Sequence, residues 1–493
     1  MKIHFIGIGG IGVSALAKYY LAKGHDVSGC DLASSEITEQ LSQMGAKIRI
    51  GPPQDACFAS NMQEMIYSPA VTKDHPELQK AYKIQDTRYK IQVLSYPQAL
   101  GELTKIHYTI AISGTHGKST TTSMIALVLL KAGLDPSVIV GTKLKEFGNS
   151  NCRVGEGRKY VINGKPILVI EADEHFASFL NYWPQMIVLT TIEADHLDYY
   201  RNLGNIIKTF RKYIAHLPPD GIIIANKDDK NTKEILTKRA EIKNKVRVQT
   251  YSLRQPEAKE LRKILKVPGE HNVANALAAL ATARALHVPD RTSFKALSEF
   301  KGTWRRFEIF RLEKPVPYTL VSDYGHHPTK VRVTVEAARS KWPKKQIWLV
   351  YQPHQYARTY YLWKDFVKVL AKAPVDKLIL TDIYDVPGRE NLSLKKKVSS
   401  DKLANAIQHT KYKIPNTILY ILSLDATKKY LNENLKGGEI VMVMGAGDIY
   451  NLTLQLTQST LKLPLTPLSK AEKTSLKNRG VRARRAPSLS RGE

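Results

Sequence analysis

A strand that runs into a short glycine loop and leaves it through Lys-Ser into a helix constrains this chain more than any other feature. Tyr108-Thr109-Ile110-Ala111-Ile112 is apolar enough for a buried strand. It enters Ser113-Gly114-Thr115-His116-Gly117-Lys118-Ser119-Thr120, and the apolar stretch Met124–Ala132 follows. Glycines in such a loop let backbone N–H groups turn toward phosphate oxygens. The lysine adds a positive charge, and the Ser119 hydroxyl can reach a magnesium ion. The loop is two residues shorter than the usual G-x-x-x-x-G-K-[ST] spacing, but the same physics holds. The pattern predicts an α/β sheet that binds a nucleotide phosphate where the strands end.

A second glycine loop opens the chain. Lys2–Gly7 reads as a buried strand, Gly7-Ile8-Gly9-Gly10-Ile11-Gly12 as the turn, and Val13–Ala22 as the helix. Asp31 ends the next strand, about 20 residues on, which completes the dinucleotide-fold fingerprint in its proper context. The fingerprint points to a nucleotide without fixing which one. Two further strands end in charged clusters: Glu171-Ala172-Asp173-Glu174 and Glu193-Ala194-Asp195-His196. Both are expected to face the phosphate loop, with Glu171 and His196 as candidate magnesium-sphere residues. Magnesium prefers oxygen, so Glu171 would ligate directly and His196 directly or through water. Asn272 and Asn275 share one face of the alanine-rich helix after Gly269; they could read a purine edge, although spacing alone favours helix capping.

From about Thr303 a third segment repeats the theme of apolar strands feeding polar turns. It carries Arg305-Arg306-Phe307-Glu308, Asp323-Tyr324-Gly325-His326-His327-Pro328-Thr329, Gln352-Pro353-His354-Gln355-Tyr356-Ala357-Arg358, and Gly445-Ala446-Gly447-Asp448-Ile449. Three imidazoles in strand-end turns beside Arg358 suggest a site, and their spacing is unlike a zinc centre.

Length and charge set the outer bounds. The chain has 493 residues, which suggests about three domains. Its three cysteines, Cys30, Cys57 and Cys152, lie far apart, so no disulfide framework is expected. No apolar run approaches the roughly 18 residues of a membrane span, and a cytoplasmic protein is expected. The net charge is +29. Such an excess attracts anions (nucleotides, nucleic acid or an acidic membrane face), unless it reflects only a lysine-rich background. The stretch from Leu461 to Glu493 holds nine Lys or Arg against two Glu; it lacks apolar periodicity and reads as a basic, disordered tail.

Taken together and in order, these motifs resemble those of the Mur ligase family, from Met1 to about Leu456. The resemblance implies three domains: residues 1–105, Rossmann-like, for a UDP-sugar; residues 106–302, a P-loop-type ATPase sheet; and residues 303–460, Rossmann-like, for the amino acid. Residues 461–493 would be the tail. The implied reaction joins L-alanine to UDP-N-acetylmuramate in peptidoglycan precursor synthesis. The muramate carboxylate takes the γ-phosphoryl group of ATP, and the alanine amine displaces phosphate from the acyl phosphate. ATP and Mg2+ are the implied cofactors, and the chain would act as a monomer or homodimer.

The resemblance also implies roles. Gly114, Thr115, His116, Gly117, Lys118, Ser119 and Thr120 would hold phosphates; Asn272, Asn275, Arg305 and Tyr324 the rest of the nucleotide. Ser119, Glu171 and His196 would hold magnesium. Gly9, Gly10, Ile11, Gly12, Asp31 and Ser68 would serve the UDP-sugar. Arg358 would grip the alanine carboxylate with its fork. An α-amino group is mostly protonated at neutral pH, so a base is needed: His326, with His354 as the rival. Lys118, His196, His326 and Arg358 would be the catalytic set. Departures from the family pattern include Thr191 for Asn, His175-Phe176 for Ser-Asp and Gln355 for a basic residue. Two other readings fit the same motifs: a peptide-recycling ligase on the same UDP-sugar, and a nucleotide-binding protein whose basic tail binds nucleic acid.

Overall fold

The computed structural model describes residues 1–53, 62–85, 91–157, 160–237, 246–386, 392–412 and 417–458. The basic tail and Cys57, and the expectations attached to them, lie outside the described residues. Cys30 and Cys152 are buried free thiols. Among the described residues no helix is long and apolar enough to cross a membrane.

Three sheets follow one another along the chain. The first is fully parallel, in the spatial order Lys47–Ile50, Asp26–Asp31, Lys2–Ile6, Glu64–Tyr67, Gln92–Ser95. The second centres on Tyr108–Ser113, flanked by Met186–Leu189 on one side and Lys165–Glu171 on the other, all parallel. Ile222–Asn226 and Arg247–Tyr251 extend it beyond Met186–Leu189, and Ser137–Leu144 beyond Lys165–Glu171. Ser150–Arg153 closes that edge antiparallel. The third sheet runs Glu308–Leu312, Tyr318–Asp323, Ile440–Met444, Ile347–Tyr351, Lys377–Leu380, Thr417–Tyr420, parallel except for its first pair. Central strands such as Tyr108–Ser113 and Ile440–Met444 are buried along their whole length. That is why they read as continuous apolar runs: helices cover both faces of a parallel sheet. The expected mixed α/β architecture is present.

Packing brings the three units around one cleft. Helix Lys118–Lys131 lies against helix Glu270–Ala285, whose Ala276, Ala278 and Ala279 are fully buried; small side chains allow that close approach. Helix Tyr96–Ile106 ends the first unit and docks it on the second. Leu100 and Leu103 share a core with Phe179 and Tyr182, and a Cβ on Gly101 would sit 2.4 Å from the Asn181 carbonyl. The third unit is tied on by one backbone bond, from Trp304 N to the Lys143 carbonyl at 3.1 Å, and by several side chains. Thr329 Oγ1 donates to Glu193 at 2.5 Å, and Arg358 Nε donates to Asp195 at 3.0 Å. His327 Nε2 reaches the Ala194 carbonyl at 3.2 Å.

Candidate active site

The phosphate loop is shaped by two left-handed glycines. Gly114 has φ +133° and a Cβ there would lie 2.2 Å from Thr190 Oγ1; Gly117 has φ +83° and would meet Asn275 Oδ1 at 2.4 Å. No other residue fits either position. The loop is pinned to the neighbouring strand end: Thr115 N donates to the Thr191 carbonyl at 2.6 Å, and His116 Nε2 lies 3.2 Å from Glu193. Helix Lys118–Lys131 starts directly after Gly117, so its unpaired first-turn N–H groups face the loop, the usual arrangement for holding phosphate.

Lys118 is held by acids. Its Nζ lies 2.5 Å from Glu174 and 3.4 Å from Asp173. Burial pulls the ammonium toward neutrality, but Glu174, Asp173 and Glu171 outweigh it and hold its pKa above the ordinary value. Ser119 Oγ donates to Glu171 Oε1 at 3.1 Å, and Glu171 Oε2 accepts from Gly141 N at 2.9 Å. A hydroxyl and a carboxylate side by side at the loop are hard oxygen donors and fit magnesium. His196 lines the same cavity. Burial is the main cause that pushes its pKa down to about 3, so it is a neutral ring, able to ligate directly or through water. It stacks on His175 at 3.9 Å, and His175 stacks on Phe176 at 4.1 Å.

Two histidines from the third unit face this region with opposite tautomers. His326 Nδ1 lies 2.9 Å from the Tyr324 carbonyl. A carbonyl only accepts, so Nδ1 carries the proton and Nε2 keeps its lone pair. His354 Nδ1 is 3.3 Å from Arg358 Nη1. A guanidinium only donates, so that lone pair is engaged and Nε2 carries the proton. Burial first, then Lys330, Arg358 and His354, pushes His326 well below its ordinary pKa. Arg358 itself spends Nε on Asp195 and Nη1 on Gln355 at 3.0 Å. Among the described residues its Nη2 makes no hydrogen bond.

Two cavities meet here. One of about 370 Å³ is lined by Thr115–Thr120, Asn272, Asn275 and Arg306. The other, of about 470 Å³, is lined by Gly10, Ile11, Gly12, Ser68, His196, Tyr324, His326, His354 and Arg358. The expected residues thus gather at one cleft, with several differences. Gly9 and Asp31 lie behind the second cavity: Asp31 Oδ2 accepts from Gly9 N at 2.8 Å and braces the glycine turn. Arg305, expected at the nucleotide, is buried among the rings of Tyr324, Tyr450 and Trp304. It donates to the Gly445 carbonyl at 2.9 Å, and its neighbour Arg306 lines the first cavity instead. Tyr324 faces the second cavity rather than the first. Neither asparagine caps its helix, where Gly269 is the N-cap without a side-chain bond. Asn272 Nδ2 donates to the Pro268 carbonyl at 2.7 Å, and Asn275 Oδ1 accepts from Thr121 at 3.2 Å. Arg306, Glu174, Asp195 and Lys330 were not singled out from sequence. Lys330 adjoins a motif that was, Arg306, Glu174 and Asp195 stand inside such motifs, and only side-chain direction tells these neighbours apart.

Three family models match successive parts of the chain. The Mur ligase family catalytic domain matches residues 2–108, the Mur ligase middle domain residues 112–283, and the Mur ligase glutamate ligase domain residues 305–447. A UDP-N-acetylmuramate–L-alanine ligase of Clostridium botulinum is 37% identical over 469 residues, which covers 91% of this chain and 96% of that protein. The enzyme of that name from Aquifex aeolicus is 37% identical over 470 residues, covering 91% and 95%. Among solved structures, UDP-N-acetylmuramate-alanine ligase of Thermotoga maritima shares the fold at a TM-score of 0.72 and 24% identity, covering 93% of this chain and 99% of that one. A murein peptide ligase of Psychrobacter arcticus shares it at 0.68 and 23% identity, covering 94% and 100%. The chain therefore belongs to the Mur ligase family of ATP-dependent ligases.

Proposed function

We propose that this protein joins L-alanine to UDP-N-acetylmuramate with hydrolysis of ATP to ADP and phosphate, a cytoplasmic step of peptidoglycan precursor synthesis. One observation carries the reading: Lys118, Ser119 and Glu171 line both cavities, so phosphate chemistry sits where a nucleotide pocket opens into an acceptor pocket. The family relatives of 37% identity carry the same activity in their names.

Phosphoryl transfer to a carboxylate asks for positioning and charge neutralisation rather than covalent help. The loop N–H groups and Lys118 hold the β- and γ-phosphates. Asn272, Asn275 and Arg306 flank the nucleotide. Ser119, Glu171 and His196 would hold magnesium, which supplies further neutralisation of the phosphate oxygens. The Gly9–Gly12 turn and Ser68 orient the UDP-sugar so that its carboxylate points at the γ-phosphorus. The carboxylate oxygen bonds to phosphorus as the bond to ADP breaks. Arg358 Nη2 then takes the alanine carboxylate. His326 Nε2 accepts the proton of the ammonium, the amine attacks the acyl carbon, and phosphate leaves with the former carboxylate oxygen.

ADP release tests the reading. With ATP, magnesium and UDP-N-acetylmuramate, L-alanine is expected to stimulate release, and alaninamide, which offers Arg358 no carboxylate, at least about tenfold less in kcat/KM. Preference for a tripeptide over L-alanine would point to the peptide-recycling ligase instead. No stimulation by any amino acid or peptide would defeat ligase chemistry altogether.

A further inference from the structure

The junction of the two cavities is lined by Thr115, Lys118, Ser119, Glu171, Arg306 and Lys330. Four of these belong to the middle domain and are already assigned to phosphate and metal. The other two come from the third domain. Arg306 leans on the Tyr324 ring, 4.8 Å from its centroid. Lys330 is left without any such role.

Lys330 is in an unfavourable place for a lysine. It stands in the first turn of helix Pro328–Lys341, directly after the N-cap His327, at the positive end of the helix dipole where a cation is disfavoured. Its side chain is half-buried and lines both cavities at their junction. Among the described residues its ammonium has neither a hydrogen bond nor an ion pair. The acids around it are committed elsewhere: Asp195 to Arg358, Glu174 and Asp173 to Lys118, Glu193 to Thr329 and His116, and Asp323 to the Phe307 and Gly325 N–H groups. A half-buried ammonium with no hydrogen-bonding partner costs stability, and of the nearby acids Asp195 favours its charge only from a distance. An anion arriving at the junction would recover that cost, answering the ammonium, Arg306 and the helix terminus at once.

We propose that Lys330 binds the phosphoryl group in transit, first as the terminal phosphate of ATP and then as the acyl phosphate, from the third domain and across from Lys118. The assignment rests on the functional reading above for what moves through the junction. It makes the third domain a participant in phosphoryl transfer as well as the receiver of the amino acid. Burial, with Arg306, Lys118 and Arg358 adding to it, draws the Lys330 ammonium down to about 7. A bound phosphate therefore has unusual leverage over its charge.

The test separates phosphate recognition from folding. In the full-length Lys330→Met variant, binding of the non-hydrolysable β,γ-methylene analogue of ATP is expected to weaken about tenfold. ADP, which lacks the terminal phosphate, is expected to bind as in the unaltered protein, and this also checks folding. Single-turnover formation of ADP with UDP-N-acetylmuramate is expected to slow about 100-fold, with partial recovery in Lys330→Arg. Equal weakening of ADP and the analogue would mark Lys330 as structural and overturn the proposal. So would normal ADP formation followed by slow amide formation, which would assign Lys330 to the amine instead. The nucleotide-binding arm needs no acceptor, so it still reports on Lys330 if the amino-acid assay fails.

Discussion

Replacing Lys118 with Met is expected to lower kcat by about 10²–10³, the usual cost of losing one preorganised charge at a reacting phosphate. The effect should fall on kcat more than on KM for UDP-N-acetylmuramate. In the proposed function Lys118 neutralises charge on the triphosphate as it is transferred, whereas the first domain holds the sugar. Its setting makes the residue hard to replace. Glu174 at 2.5 Å and Asp173 at 3.4 Å fix the ammonium in place, and their charge holds it protonated across the working pH range. Steady-state ADP release against each substrate in turn checks this. A variant within about fivefold of the original kcat would remove Lys118 from phosphoryl transfer, where preorganised charges are worth far more than that.

His326→Ala is expected to cost about 10²–10⁴ in kcat/KM for L-alanine, the range for a lost general base, and His354→Ala much less. The difference comes from the tautomers. His326 gives its Nδ1 proton to the Tyr324 carbonyl and keeps Nε2 open. The Nδ1 lone pair of His354 is taken by Arg358, and its other nitrogen carries a proton. His326 titrates well below its ordinary value, so it is neutral and ready to accept from neutral pH upward. The pH profile should therefore rise as alanine's own ammonium deprotonates, with no limb from His326 near its ordinary pKa of about 6.5. Single-turnover ADP formation before alanine is added should be unaffected in His326→Ala. Equal losses in both variants would mean the base lies elsewhere.

The parts of the site that were legible in sequence are those whose chemistry is local. A glycine loop between a strand and a helix announces itself because backbone conformation, phosphate-binding N–H groups and Lys118 all fall within a few residues. Glu171 and His196 were legible for a related reason: parallel strands end on one edge of the sheet, so acids at strand ends share a neighbourhood. What stayed hidden depends on side-chain direction and long-range pairing. Arg305 and Arg306 are adjacent and identical in type. Backbone geometry buries one under Tyr324, Tyr450 and Trp304 and opens the other to the first cavity. The Arg358–Asp195 pair joins residues 163 apart in the chain, and no local pattern predicts it. Lys330 reads as an ordinary helix lysine until the fold shows that its carboxylate neighbours are already taken. The asparagines were misleading in the other direction: helical spacing suggested a cap, but close packing against Gly117 and Thr121 decides where Asn275 points.

The central claim is that phosphate passes from the Lys118 loop to the muramate carboxylate before any peptide bond forms. It can be read from the fate of one oxygen atom. UDP-N-acetylmuramate labelled with 18O in its carboxylate is incubated with ATP, magnesium, L-alanine and the protein, and the inorganic phosphate is analysed by mass spectrometry. The account predicts one labelled oxygen in each phosphate released, because the carboxylate oxygen that attacked phosphorus leaves with it. Unlabelled phosphate accompanying full formation of the alanyl product would contradict it.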